Sequence, residues 1–427
     1  MKLNRRQFTA QTAAAASALF AFPAFVRSKD APDKLKVAVV GVGGRGASNL
    51  AGVAEENVVA LCDVDNGQLE AAAQKFPGAK KYRDFRQLLD KEKGLDALVC
   101  STPDFTHAIV CVSAMKQGLH VYCEKPMAHT VSEARAMTEA AAKYKRVTQL
   151  GTQIHATSNY RRVVELVKSG AIGPVTEVHV WAGAIYGNIE LSAENAEIPK
   201  SLDYDLWLGP LPYRAYRKEY APFHWRHFWH FGGGTLADFW CHFTDVAHWA
   251  LDLTHPLTVH SQAGESRAEL ASVKMQVKYE YPARGKQPPV KLTWYQGGDK
   301  PAILTEEQKK QWGSGVLFIG EKGMLLADYG RRVLLPEDKF KGFQPPAPTI
   351  PDSIGHHAEW IKACKEGGQT TCNFGYSGPL TECALLGIVS HRVGNKKLEW
   401  DWKQLKATNC PEADKYIHHE YRPGWKL

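Results

Sequence analysis

Short apolar runs separated by amphipathic stretches fill the first third of this 427-residue chain. Lys36–Val40, Val58–Cys62, Ala97–Cys100, His120–Cys123 and Val147–Leu150 are brief β-favouring runs. Between them, stretches such as Gly67–Phe76 and Val131–Tyr144 carry apolar residues at helical spacing. Short hydrophobic strands alternating with helices predict right-handed crossovers and a parallel sheet. After a helix expected at Tyr160–Lys168 the pattern changes. Longer alternating runs, Val175–Gly183, Leu257–Gly264, Val273–Tyr281, Val290–Gly297 and Val316–Gly320, predict an open, largely antiparallel sheet. Pro301–Gln311 and Pro345–Pro351 read as surface loops, and Leu380–Val393 as a last amphipathic helix able to pack back on the first domain. The expected fold is α/β: a Rossmann domain over 33–154, a second α/β domain over 155–404 and a C-terminal tail over 405–427.

The first apolar run leads directly into Gly41-Val-Gly43-Gly44-Arg45-Gly46, followed by a helix-compatible segment. Strand, glycine turn and helix start, in that order, form the dinucleotide-binding fingerprint. Gly41 makes the tight turn, Gly43 admits backbone to the pyrophosphate, and Gly46 lets helix and strand pack closely. The helix N-terminus, at Gly44 and Arg45, offers N–H groups to a phosphate. Asp63 ends the second run, seventeen residues beyond Gly46. A carboxylate there accepts ribose hydroxyls and repels a 2′-phosphate, which selects NAD over NADP.

Residues 1–28 stand apart: Arg5-Arg6-Gln7-Phe8 precedes an uncharged, alanine-rich stretch from Thr9 to Val26. This pattern predicts a twin-arginine export signal and a periplasmic enzyme, or an envelope-associated one if the signal stays uncleaved. Gln11, Thr12, Ser17 and Pro23 interrupt the stretch and argue against a stable membrane span. The signal also carries four of the eight net positive charges (Lys2, Arg5, Arg6, Arg27), leaving +4 on the rest. With 23% charged residues, that balance calls for no nucleic-acid partner. The nine cysteines fit no zinc or disulfide spacing and read as buried free thiols, so no metal is expected.

Three clusters carry chemistry. Ser101-Thr102-Pro103-Asp104-Phe-Thr106-His107 follows the third run, where nucleotide-binding folds place ligands; Thr102 and Pro103 would line the nicotinamide side and His107 the phosphates or ribose. Glu124-Lys125-Pro126 follows the fourth, where Lys125 could hold or polarise a substrate hydroxyl and Glu124 contact the cofactor or lock the lysine. Asp238 and His242 lie four apart, on one helical face. Crowded histidines nearby, from His224 to His248, lack the spacing of a metal site. Trp225 and Trp229 are either core or platforms for sugar rings.

With these motifs the chain resembles the Gfo/Idh/MocA family, the glucose–fructose oxidoreductase and inositol dehydrogenase group, from about Lys34 to Trp402. The resemblance implies a catalytic trio of Lys125, Asp238 and His242, with His242 as general base, and Asp63 as the acid that selects NAD. The segment Gly151-Thr-Gln153-Ile-His155, continuing to Asn159-Tyr160-Arg161-Arg162, and the segment Trp207-Leu-Gly-Pro210 resemble the exported branch. They place Gln153 at the cofactor and His155, Tyr160 and Arg161 at the substrate. The family implies a secondary hydroxyl of a sugar, cyclitol or glycoside as the reacting group. It also implies a homodimer or homotetramer assembled through the open sheet. An exported enzyme meets little free nucleotide, so its NAD is expected to be loaded before export and tightly held. Two alternatives remain open from the residues: an NAD-dependent glycoside hydrolase or lyase using transient ring oxidation, and a non-catalytic nucleotide- or sugar-binding protein.

Overall fold

The computed structural model describes residues 33–192 and 195–427, so the export signal expected at 1–28 lies outside the described residues. The first sheet is six-stranded and parallel, in the order β3-β2-β1-β4-β5-β6. Its strands are β1 (Lys36–Val40), β2 (Asn57–Cys62), β3 (Lys80–Tyr82), β4 (Ala97–Cys100), β5 (His120–Cys123) and β6 (Thr148–Leu150). The apolar runs predict all of these but β3. That edge strand, Lys-Lys-Tyr, has no buried residue and exists only by pairing with Ala60–Cys62. Strand order reverses between β1 and β4, so their carboxyl ends open a crevice at the topological switch point.

Both faces of this sheet are covered, as a parallel sheet requires. Val37 and Val39 join a core with Leu61, Val99 and Trp360, while Ala38 and Val40 join one with Leu98, Ile109 and Leu385. Trp360 lies on the helix His356–Glu366 and Leu385 on the helix Phe374–Arg392, so distant segments complete the packing of the first sheet. Burying Leu385 alone stabilises by about 1.5–3 kcal/mol. The ion pair Arg135–Glu382 (2.8 Å) ties the long helix to the helix Val131–Tyr144. The long helix begins six residues earlier than the pattern predicts, because Asn373 caps it and Pro379 sits inside it rather than before it.

The second sheet has nine strands in the order β13-β12-β11-β7-β10-β9-β8-β14-β15. They are β7 (Val175–Trp181), β8 (Thr258–Ala263), β9 (Met275–Tyr281), β10 (Val290–Gln296), β11 (Gly315–Gly320), β12 (Gly323–Ala327), β13 (Arg332–Leu335), β14 (Leu398–Asp401) and β15 (Lys406–Ala407). Only β7 and β10 pair in parallel; every other neighbouring pair is antiparallel. On it rests the helix Gly234–Phe243, through Trp240 against Tyr279 (4.8 Å) and Trp294 (5.8 Å). Pro301–Gln311 is not wholly loop: Glu306–Gln311 is helical, closed by a capping box between Thr305 and Gln308. That helix buries no residue of its own, so it carries no apolar period to read.

All nine cysteines are free thiols, eight of them buried. Cys100, Cys111 and Cys123 cluster in the first domain's core with their sulfurs within 4.8 Å of one another. They form the one group of three metal-capable side chains among the described residues. No helix among these residues is long and apolar enough to cross a membrane.

Candidate active site and cofactor crevice

The glycine turn closes the carboxyl end of β1. Gly41 is left-handed (φ 80°) and its N–H donates to the Cys62 carbonyl at 2.8 Å. A side chain at Gly46 would overlap the Gly41 carbonyl, so only glycine lets the helix Arg45–Gly52 pack this close to the strand. Asp63 is fixed at the rim: its carboxylate accepts from the backbone N–H groups of Val42 (2.9 Å) and Asp65 (2.9 Å). Burial pushes its pKa above the usual carboxylate value, against those N–H groups, which favour the anion. A cavity of about 410 Å³ occupies the switch point. Gly41, Gly43, Gly44, Arg45 and Asp63 line it from one side, and Ser101, Thr102 and Pro103 from the other. An open glycine backbone at a helix start, with a ribose-binding acid at the tip of β2, is the donor and acceptor set a dinucleotide requires, and these residues fit NAD.

Glu124 gathers donors behind the glycine turn. Its Oε1 accepts from Arg45 Nε (3.1 Å), Asn49 Nδ2 (3.0 Å) and Gln153 Nε2 (3.1 Å), and its Oε2 from the Lys125 N–H (3.1 Å). A side chain at Gly151 would come within 2.6 Å of this carboxylate. Glu124 and Gln153 therefore brace Arg45 and Lys125 from inside the protein. His107, expected near the phosphates or ribose, is fully buried instead. Its ring spans the Pro126 and Thr102 carbonyls, 2.8 Å from each, and so pins the lysine turn to the Ser101–Pro103 loop.

Lys125, Asp238 and His242 converge from β5 and the helix Gly234–Phe243. Lys125 Nζ donates to Asp238 Oδ1 at 2.6 Å, and the side chains are 15% and 6% exposed. The same oxygen accepts from Arg226 Nε (3.2 Å), and Oδ2 accepts from the Tyr186 hydroxyl (3.0 Å). Burial opposes its charge, but Lys125 and Arg226 prevail and hold the Asp238 carboxyl far below the usual range. Burial likewise pulls the Lys125 pKa down, but the Asp238 carboxylate overcomes it and leaves the ammonium raised. Lys125 is therefore held as an ammonium, a hydrogen-bond donor. His242 is the opposite: burial and then the Lys125 charge push it down to about 4, so it is neutral and able to accept a proton. Its Nδ1 has no hydrogen-bond partner. From its place four residues before His242, Asp238 is expected to steer the imidazole or to bind sugar hydroxyls. The structure shows the carboxylate engaged by Lys125, Arg226 and Tyr186 instead.

The residues expected at the substrate mostly serve the framework. Trp225 does line the cavity, with the Arg226 guanidinium 4.1 Å above its ring. His155 is buried, with Nδ1 on Asp245 Oδ2 (2.8 Å) and its ring stacked on Trp249 (3.9 Å). Tyr160 is buried and donates to the His242 carbonyl (2.9 Å), so it holds His242 through its backbone. Arg161 pairs with Glu359 (2.7 Å) and the Pro351 carbonyl, and buried Trp229 packs near His391 and Arg392. Arg and His could hold a sugar at a surface cleft, but here burial has matched each to an internal partner. Tyr186 carried no sequence signal, and Arg226 was visible only as part of an aromatic, histidine-rich run. Asp104 is a further surprise: nearly buried with Oδ1 unpartnered, its carboxyl is pushed up to about 7 by burial.

Comparison with known proteins identifies the fold and the family. An inositol 2-dehydrogenase of Salmonella paratyphi B is 32% identical over 151 residues, 34% of this chain and 45% of that protein. The chain thus spans about half the length of the curated relatives it matches. Among solved structures, the WlbA dehydrogenase of Bordetella pertussis in complex with NADH and UDP-GlcNAcA superposes with a TM-score of 0.60 at 17% identity, covering 86% of this chain and 99% of that one. An aldose–aldose oxidoreductase of Caulobacter crescentus superposes with a TM-score of 0.55, also at 17% identity, covering 86% and 100%. These likenesses establish the fold. Residues 35–152 match the oxidoreductase family model for an NAD-binding Rossmann fold, and residues 158–427 match the model for its C-terminal α/β domain. The chain belongs to the Gfo/Idh/MocA oxidoreductase family, and its first domain is that family's NAD-binding Rossmann fold.

Proposed function

We propose that this oxidoreductase interconverts a secondary hydroxyl and a carbonyl on a sugar, cyclitol or glycoside, with Lys125, Asp238 and His242 as its working residues. The observation that carries this reading is the buried Lys125–Asp238 pair at 2.6 Å, whose acid lies on the helix that also bears a neutral His242. Bound NAD supplies the hydride acceptor. Lys125, held as an ammonium, donates a hydrogen bond to the reacting oxygen and stabilises negative charge developing there. His242 takes the hydroxyl proton on its imidazole. Asp238 is a positioning residue: it fixes the Lys125 ammonium and is itself clamped by Arg226 and Tyr186. The names of the relatives, inositol and aldose enzymes among them, support polyols as the substrate class.

The test is a panel of cyclitols, aldoses and aryl glycosides, read for NADH and for released aglycone. Net NADH from a polyol, lost in Lys125→Met and His242→Ala, is the expected result. Aglycone release without NADH would replace the dehydrogenase with a redox-assisted hydrolase. Substrate turnover unchanged in both variants would refute the assigned roles. The reading extends to export: Arg5→Lys/Arg6→Lys is expected to move the enzyme from the periplasmic to the cytosolic fraction. It also extends to assembly through the second sheet, which sedimentation of the purified protein tests.

A further inference from the structure

The cavity at the switch point is not built from the Rossmann domain alone. Leu206 and Trp207 enter its wall from the second domain, and Trp425, two residues from the end of the chain, enters from the C-terminal segment. The second-domain segment is fastened at the rim, beside Asp63. The N–H of Asp203 donates to the Val64 carbonyl (2.9 Å), that of Asn66 to the Ser201 carbonyl (2.9 Å), and Arg83 reaches the carbonyls of Val64 and Ser201.

The C-terminal segment is fastened over this arrangement. Arg422 pairs with Asp205 Oδ1 (2.6 Å) and donates to the carbonyls of Gly209 (2.7 Å) and Asp205 (2.7 Å). Its own N–H donates to the Pro210 carbonyl (2.9 Å). Gly424 is left-handed (φ 87°) and reverses the chain. Trp425 is thereby laid beside Phe85 (6.1 Å between centroids) and under the Arg86 guanidinium (4.2 Å). Arg86 in turn is held by Asp84 through three hydrogen bonds, at 3.0, 3.1 and 2.7 Å. The indole is thus oriented by a cation on one side and a ring at its edge, and it stays half-buried at the cavity wall.

We infer that the C-terminal segment is part of the cofactor site, with Trp425 closing the adenosine end and Arg422 anchoring it there. The adenosine end follows from Asp63, since the acid at the tip of the second strand takes the adenosine ribose in this fold. An aromatic ring at the wall of a nucleotide cavity offers a π-face to a base, a contact that truncation to alanine weakens about five- to a hundredfold. Because the closing residue lies on a different segment from the phosphate-binding turn, release of the nucleotide requires the segment to part from Phe85 and Arg86. The inference rests on the cavity being the NAD site. It gives a physical route to the tight retention that an exported enzyme requires.

The experiment follows NADH leaving the full-length protein by energy transfer from tryptophan, with wild type, Trp425→Ala, Trp425→Phe and Arg422→Gln. Trp425→Ala is expected to speed dissociation about five- to a hundredfold, with Trp425→Phe between it and wild type. Arg422→Gln should act in the same direction without removing the ring. Affinity for ADP-ribose should fall in parallel, while affinity for nicotinamide mononucleotide stays unchanged, and circular dichroism of the nucleotide-free proteins checks folding. Dissociation at the wild-type rate from both Trp425→Ala and Arg422→Gln overturns the role of the segment. Wild-type protein that binds no NADH would overturn the site itself, a distinct failure.

Discussion

The charge balance around Asp238 makes a prediction with a computable size. In Asp238→Asn the shape and most hydrogen-bonding atoms remain, but Lys125 and Arg226 lose their shared anion. At the observed 2.6 and 3.2 Å, an effective dielectric of about 20 gives gross attractions of about 6 and about 5 kcal/mol. Desolvating three charges cancels much of this. The net cost of stranding a buried partner is about 3–5 kcal/mol, and that is the expected loss at pH 7. The pH dependence provides a stricter test. In wild type the Lys125 pKa is raised, so its stabilisation persists below the unfolded lysine value of about 10.4 and is lost only as pH rises past the folded one. In the variant, burial and the Arg226 charge act on Lys125 unopposed and depress it. The unfolded chain then holds the proton to higher pH than the folded one, so the variant gains stability as pH rises through that window. Urea unfolding followed by tryptophan fluorescence at pH 7 and near pH 9.5 measures both quantities, and the difference between the proteins should shrink at the higher pH. A penalty below about 1 kcal/mol, or one identical at both pH values, would refute this account of the pair.

Four further outcomes are expected. His242→Ala should lower kcat by about 10²- to 10⁴-fold while NADH affinity is kept. With His242 held near 4 by burial, wild-type kcat/KM should fall only as pH drops towards about 4; a limb at the free-histidine value near 6.5 would contradict the burial of this ring. Gly46→Ala should abolish NADH binding measured by energy transfer, because the added carbon overlaps the Gly41 carbonyl, and intact binding would exclude that close packing. Asp63→Ala should weaken NAD binding and narrow its advantage over NADP in calorimetry, with the Val42 and Asp65 N–H groups left unpaired; an unchanged preference would sink the role of this acid.

Legibility followed sequence distance. The strands β1, β2, β4 and β5 were readable because their buried positions on both faces are filled by apolar residues, and the glycine turn because its backbone admits little else; β6 was marked only by Val147 and Leu150 around a buried Thr148-Gln149. Edge strand β3 and the helix Glu306–Gln311 were not, since neither buries a residue that would mark it. At the site, Lys125, Asp238 and His242 stood out by residue type and spacing. Their electrostatics did not. Asp238 as the hub of Lys125, Arg226 and Tyr186 joins positions spread over more than a hundred residues, and no local period records such a meeting. The same holds for His155, Tyr160, Arg161 and Trp229, polar or aromatic enough to suggest a ligand until burial showed their partners.

By itself, then, the sequence determined the chemistry on offer: a dinucleotide turn, an acid that favours NAD, a lysine at a strand end and an acid and histidine on one helical face. Each is local, set by backbone freedom, strand burial or helical spacing. Tertiary structure decided which protonation states those groups hold and what closes over them. Lys125 became a fixed cation and His242 a neutral imidazole because burial weakens solvation and leaves neighbouring charges to decide. The cavity acquired its outer wall because Arg422 and Trp425, remote in the chain, are carried back to Asp205 and Phe85.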